Sequence, residues 1–137
     1  LYGNVLRGAP GGNGNGKAIV LKTHGGDTAG TAKLTIKSGN YHGKYVADTG
    51  NKVYAPIVAY SGDIVISGGT FTSGANNDKP IFSVMEANGS IVISGGTFNG
   101  VNFSKLDATA IAKLCDGGAA KHNVVKNDNG SFTITMK

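Results

Sequence analysis

The chain has no tryptophan, one cysteine and three prolines among its 137 residues, and only 15% of them are charged. Each shortage closes off a class of protein. With Cys115 alone, an internal disulfide is impossible, so a small disulfide-stapled fold is excluded. A lone cysteine on an apolar helical face reads as a small core residue. No run of eighteen apolar residues occurs, which leaves no transmembrane helix and no expectation of membrane insertion. The first residues carry no basic-then-apolar leader pattern, and a start at Leu1 without methionine suggests processing or a fragment of a longer chain. The low charge does not mean disorder, because apolar runs such as Ile64-Val65-Ile66 and Ile91-Val92-Ile93 recur along the chain.

Glycine is what the chain has in excess, at 23 residues. They follow no three-residue period, which excludes collagen. A glycine-rich, β-rich chain with little charge predicts many short strands joined by tight turns, and the length fits one domain. The formal charge is +5, and Arg7 is the one arginine among thirteen basic residues. The lysines are scattered, which suits solvation of loops and protection of strand edges. A nucleic-acid surface would cluster arginine with aromatics, so no specific nucleic-acid partner is expected. Weak attraction to an anionic glycan or other polyanion is the lesser reading.

An internal repeat organises the middle of the chain. Lys33-Leu-Thr-Ile-Lys-Ser-Gly-Asn-Tyr-His-Gly43, Asp63-Ile-Val-Ile-Ser-Gly-Gly-Thr-Phe-Thr-Ser-Gly74 and Ser90-Ile-Val-Ile-Ser-Gly-Gly-Thr-Phe-Asn-Gly100 align, and the last two share the string IVISGGTF. A looser apolar run precedes each: Ala18-Ile-Val-Leu21, Pro56-Ile-Val-Ala59 and Pro80-Ile-Phe-Ser83. Ile36, Ile66 and Ile93 recur at intervals of 30 and 27 residues, suiting one coil of a three-sided β-helix. Alternation puts Leu34/Ile36, Ile64/Ile66 and Ile91/Ile93 on one strand face, and stacking at about 4.8 Å would join them in an aliphatic ladder. Tyr41, Phe71 and Phe98 would form a parallel aromatic ladder. Gly39, Gly68/Gly69 and Gly95/Gly96 fall where the chain must turn sharply, often with positive φ. Hairpins would put paired strands two to five residues apart, whereas here similar strings recur one coil apart. The expectation is an all-β fold, a right-handed parallel β-helix of about three to four coils over residues 17–100.

The ends differ from the middle. Residues 1–16 predict a flexible or capping segment. Ser104-Lys-Leu-Asp107 reads as a capping-box variant with Ser104 as N-cap, opening a helix over about 104–115 that Gly117 stops. Asn127-Asp-Asn-Gly130 is a hairpin turn, with strands over about 122–136. Residues 101–137 thus predict a cap for the last coil's unpaired edges and open core. The ISGGTF repeats, the Phe-Ser-x-x-Asp segment and the closing Asn-Asp-Asn-Gly-Ser-Phe-Thr resemble the repetitive β-helix regions of large bacterial surface proteins and similar modules on phage virions. The resemblance spans roughly residues 31–137. It implies extracellular exposure and adhesion-like roles, with no catalytic residues to carry over.

No motif supplies a reaction. Gly11-Gly-Asn-Gly-Asn-Gly16-Lys17-Ala18 approaches a phosphate loop, but Ala18 stands where Ser or Thr would hold magnesium, and a strand-like run follows. As a calcium-binding nonapeptide the same stretch has Gly16 in place of the liganding Asp. His24, His42 and His122 lie far apart, without metal spacing, and each suits a turn or an exposed strand face. Most of the eight acids sit beside Gly or Asn in apparent turns. Glycosidase chemistry needs two carboxylates at a set separation. Polysaccharide lyases on this fold need a long groove, and four coils stand only about 20 Å tall. These observations point away from an enzyme and predict no cofactor or metal, with a carbohydrate-active β-helix fragment as the alternative. Tyr45, Tyr54 and Tyr60 are the candidates for stacking on sugar rings. Tyr54 and Tyr60 share a face opposite Ile57, so both face solvent if Ile57 points inward. The expected role is a structural or adhesion-like module at a cell or virion surface. Its expected partners are a surface glycan or other protein subunits, with a homotrimer as one way to hide the open end.

Overall fold

The computed structural model describes residues 18–22, 32–43, 55–74 and 76–137, together with the backbone of Val5–Arg7. The fold is mostly β. Its strands are β1 (Val5–Arg7), β2 (Ile19–Leu21), β3 (Lys33–Ile36), β4 (Asn40–Gly43), β5 (Ile57–Ala59), β6 (Gly62–Ile66) and β7 (Thr70–Ser73). They continue as β8 (Phe82–Val84), β9 (Gly89–Ile93), β10 (Thr97–Phe98) and β11 (Val101–Asn102). Two short helices follow, α1 (Ala108–Lys113) and α2 (Gly118–Lys121), and then β12 (His122–Lys126) and β13 (Phe132–Met136).

The strands form three sheets, ordered β1-β4-β7-β10-β11, β12-β13-β9-β6-β3 and β2-β5-β8. Strands of successive repeats pair in parallel, β3 with β6 and β6 with β9, β4 with β7 and β7 with β10, and β2 with β5 and β5 with β8. The two larger sheets are mixed, because β11 pairs antiparallel with β10 and β13 pairs antiparallel with β9. The parallel pairing expected of the repeats therefore holds among their strands, and the antiparallel partners come from residues 101–137, where a hairpin was expected over about 122–136. There the chain adds a hairpin strand to each of the two larger sheets.

The register follows the repeat. Leu34, Ile64 and Ile91 lie side by side, and so do Ile36, Ile66 and Ile93. Strands β6 and β9 alternate buried and half-buried residues, as a sheet with one core face requires. The hairpin carries this inner face onward, with Phe132 beside Ile93 and Ile134 beside Ile91, both buried. Corner glycines turn each repeat from one sheet to the next. Gly69 and Gly96 take φ of +110° and +119°, conformations that a Cβ would oppose.

At four points the structure departs from the sequence reading or adds to it. In the run Pro80-Ile-Phe-Ser83, Phe82 rather than Ile81 pairs with Ile57. Ile81 lies just before the strand, fully buried, with its amide donating to the Leu114 carbonyl at 2.7 Å. The helix expected over 104–115 is shorter and starts later. Phe103–Lys105 forms a 3-10 turn, Leu106 is extended, and Asp107 rather than Ser104 is the N-cap, accepting from the Ala110 amide at 2.8 Å. The early turn holds Phe103 against Phe132, with ring centroids 5.6 Å apart, so a tertiary contact decides between two good capping residues. Within the expected flexible or capping segment 1–16, Val5–Arg7 is a strand paired in parallel with β4. Finally, Phe98-Asn99-Gly100-Val101 is a two-residue hairpin with Asn99 at φ +46° and Gly100 at φ +80°, a turn the repeat alignment passed over.

Candidate functional site

The repeat faces its similar residues toward one another, which makes the interior ladder the best-defined arrangement in the molecule. Tyr41, Phe71 and Phe98 occupy equivalent positions on β4, β7 and β10 and are fully buried. Their rings stack, at 4.8 Å between Tyr41 and Phe71 and 5.1 Å between Phe71 and Phe98, with interplanar angles of 11° and 15°. Parallel in-register strands impose this near-face-on spacing, which matches the strand separation. Phe82 meets Phe98 edge-on at 5.4 Å and ties the ladder to the third sheet. The Tyr41 hydroxyl donates to the Ser38 carbonyl at 2.7 Å, and burial raises its pKa above the ordinary phenol value. Ile36, Ile66 and Ile93, all fully buried, form the second ladder.

Of the three tyrosines singled out for glycan contact, one lies among the described residues. Tyr45 and Tyr54 lie outside the described residues. Tyr60 follows β5, is half-buried, and has the Lys22 ammonium 5.3 Å from its ring centroid. The idea that the strand face opposite Ile57 is open to solvent needs correction, because Val58 on that face is also fully buried. Strand β5 is central in its sheet and buried on both faces, so alternation does not report exposure there.

Three of the described acids make structural contacts. Asp63 accepts from the Ser90 hydroxyl at 2.7 Å across adjacent strands, Asp78 pairs with Lys79 at 3.2 Å, and Asp107 caps α1. Among the described residues, no three His, Cys, Asp or Glu side chains group as metal ligands would. The phosphate-loop-like and nonapeptide-like segment lies almost wholly outside the described residues, as does His24. His42 is exposed on β4, with Nδ1 2.8 Å from the Thr72 hydroxyl. Cys115 is buried, its thiol donating to the Ile111 carbonyl at 3.4 Å. Burial, then the Asp116 charge, pushes its pKa up to about 12, which keeps it protonated and unreactive.

His122 departs from expectation. It was placed in a turn or on an exposed face, but it is 2% exposed at the start of β12. Its Nε2 accepts from the Val84 amide at 3.1 Å, so the ring satisfies a backbone donor on the last strand of the all-parallel sheet. Its Nδ1 has no partner in hydrogen-bonding geometry. Desolvation lowers the imidazole pKa, and the bond accepted from the Val84 amide favours the same neutral form; the nearby Gly118 backbone and Asp116 charge oppose this, and Lys121 adds to the lowering. The ring is therefore neutral in the native state, and the unfolded chain takes up a proton at a pH where the native chain does not. Stability is then full above about pH 6.5 and falls as pH drops from there through the lowered native pKa. Urea midpoints measured between about pH 7.5 and 5 should decrease for the wild type. For His122→Gln, whose amide oxygen can also accept from Val84, they should stay flatter across this window. Equal slopes for the two proteins would show that His122 does not set the acid limb.

No protein-family model, curated protein or solved structure matches this chain.

Proposed function

We propose that the chain is a non-catalytic module of a bacterial surface protein, or of a virion decoration or fibre, with a structural or adhesion-like role outside the cell. In this reading the repeats form a right-handed parallel β-helix of about three to four coils, closed at the C-terminal side by a helix-and-hairpin cap. The observation that carries it is the like-on-like register, in which Tyr41, Phe71 and Phe98 stack while Ile36, Ile66 and Ile93 align beside them. Right-handedness follows from the strong bias of parallel crossover connections. Each layer of such a stack depends on its neighbours, so stability comes from continuity, and the product is a stiff surface. Occupation of Asp63, Asp78 and Asp107 in local pairing and capping supports a structural role for them. The half-buried Tyr60 beside Lys22 offers an aromatic face and a cation to a surface glycan.

Digestion of the folded chain with proteinase K tests the structural role. A resistant fragment containing Ile57–Met136 should accumulate, and its disappearance at the rate of a heat-unfolded control would overturn the proposal. Light scattering at low and high salt then separates the settings. A stable trimer indicates a fibre or virion component, and a monomer indicates a module of a longer surface protein. On a glycan array, Tyr60→Ala should reduce any signal that the parent chain gives.

A further inference from the structure

We propose that the groove between α1, α2 and β12 binds a small organic carboxylate with a short aliphatic body. The cavity holds about 470 Å3, within the range of small-molecule sites. Small apolar side chains make its floor: Ala108 and Ala112 from α1, Ala119 from α2, and Val124 from β12. That floor suits a few methylene groups and offers them no hydrogen bond.

The charged side chains of the groove are both lysines. Lys113 and Lys137 line it, and no Asp or Glu does. Neither ammonium has a carboxylate partner among the described residues, where Lys79 and Asp78 pair elsewhere. Two unpaired ammonium groups beside an apolar floor favour a ligand that is negative at one end and apolar at the other. Thr109 and Asn123 add a hydroxyl and an amide to the lining, which can hold a second oxygen. The lining holds no arginine to grip a phosphate bidentately, so a singly charged carboxylate suits it better than a phosphate.

The wall supports a preformed site. His122 lines the groove and is itself buried, fixed by the bond from the Val84 amide to its Nε2. The Lys137 amide donates to the Lys121 carbonyl at 3.0 Å, which anchors the backbone that carries the second ammonium. The inference is independent of the β-helix reading, because it needs only the packing of α1, α2 and β12.

A titration of the 15N-labelled chain with hexanoate, followed by amide and imidazole chemical shifts, tests it. Hexan-1-ol serves as the neutral control. Saturable shifts confined to residues 108–124 and 137 are expected with hexanoate and not with hexan-1-ol. Lys113→Gln and Lys137→Gln should each weaken binding about three- to fivefold, the effect of losing one partly exposed charge contact. Ala112→Leu should abolish binding by filling the floor; if it fails to fold, the two lysine variants decide the question. Three results would overturn the proposal: shifts that rise linearly at lysines all over the chain, equal shifts with the alcohol, or unchanged affinity in both lysine variants.

Discussion

Replacing Phe71 with alanine is expected to cost about 3–5 kcal/mol, a large fraction of the stability of a domain of this size. Phe71 is fully buried and has an aromatic neighbour on each side, at 4.8 and 5.1 Å. Truncation removes its burial and both stacking contacts. Parallel strands above and below hold Tyr41 and Phe98 at a fixed spacing, so neither ring can move in to fill the gap. The cavity therefore stays open, the condition under which large-to-small changes are most damaging. Phe71→Leu keeps most of the volume and should cost about 1–1.5 kcal/mol. Urea unfolding of both variants measures the difference, with near-ultraviolet circular dichroism reporting the packing of the aromatic rings. A cost below about 1 kcal/mol for Phe71→Ala would mean that the ladder is not the core of the fold.

The stacked ladders were legible in the sequence for a physical reason. A strand alternates with period two, so in a repeat with matching strings one set of alternate residues must meet its equivalents. The IVISGGTF string fixes that register because it contains a strand, a glycine corner and a ring in a constant order. Legibility failed where two apolar residues sit side by side. Ile81 and Phe82 offer no alternation, and both amides donate to the Leu114 carbonyl, so nothing local tells which of them pairs with Ile57. Val58 misled for the converse reason: alternation predicts exposure only where one face is wet, and β5 is buried on both.

Features that depend on distant partners were out of reach of a local reading. His122 is buried because it meets an amide 38 residues upstream, and nothing near it in the sequence announces that. The choice between Ser104 and Asp107 as helix cap turns on Phe103 reaching Phe132. The groove between α1, α2 and β12 was missed altogether. Its floor is a handful of alanines spread over 108–119 plus Val124, and its lysines are 24 residues apart in sequence. By contrast, the Asn99-Gly100 turn carried a usable signal. Its side chain also clamps the neighbouring segment, with Oδ1 accepting from the Ser73 amide at 2.9 Å and Nδ2 donating to the Lys79 carbonyl at 2.9 Å. The turn thus sets the β10–β11 hairpin and holds the end of β7 together.

Gly95→Ala should be the second most damaging single change, and Gly100→Ala is its proper control. A Cβ at Gly95 would lie 2.4 Å from the Ser67 carbonyl oxygen, and one at Gly68 would lie 2.3 Å from that of Lys37. The same corner thus recurs in successive repeats, with the carbonyl of one layer resting against the bare Cα of the next. Backbone cannot yield as a flexible side-chain end can, because Ser67 is held by its amide bond to the Ile36 carbonyl at 2.9 Å. Adding the methyl group forces the layers apart where β6 and β9 pair, and a cost of about 3 kcal/mol or more is expected. At Gly100 the situation is reversed: nothing lies within 4 Å of the added carbon, and only the positive φ of +80° opposes it. That substitution should cost about 1–2 kcal/mol, the penalty for placing an L side chain in the left-handed region. Urea unfolding of the two variants under one condition separates steric contact between layers from backbone conformation within one. If Gly95→Ala proves no more costly than Gly100→Ala, the corners of successive repeats are not in close contact, and the spacing that aligns the two ladders must come from the side chains alone.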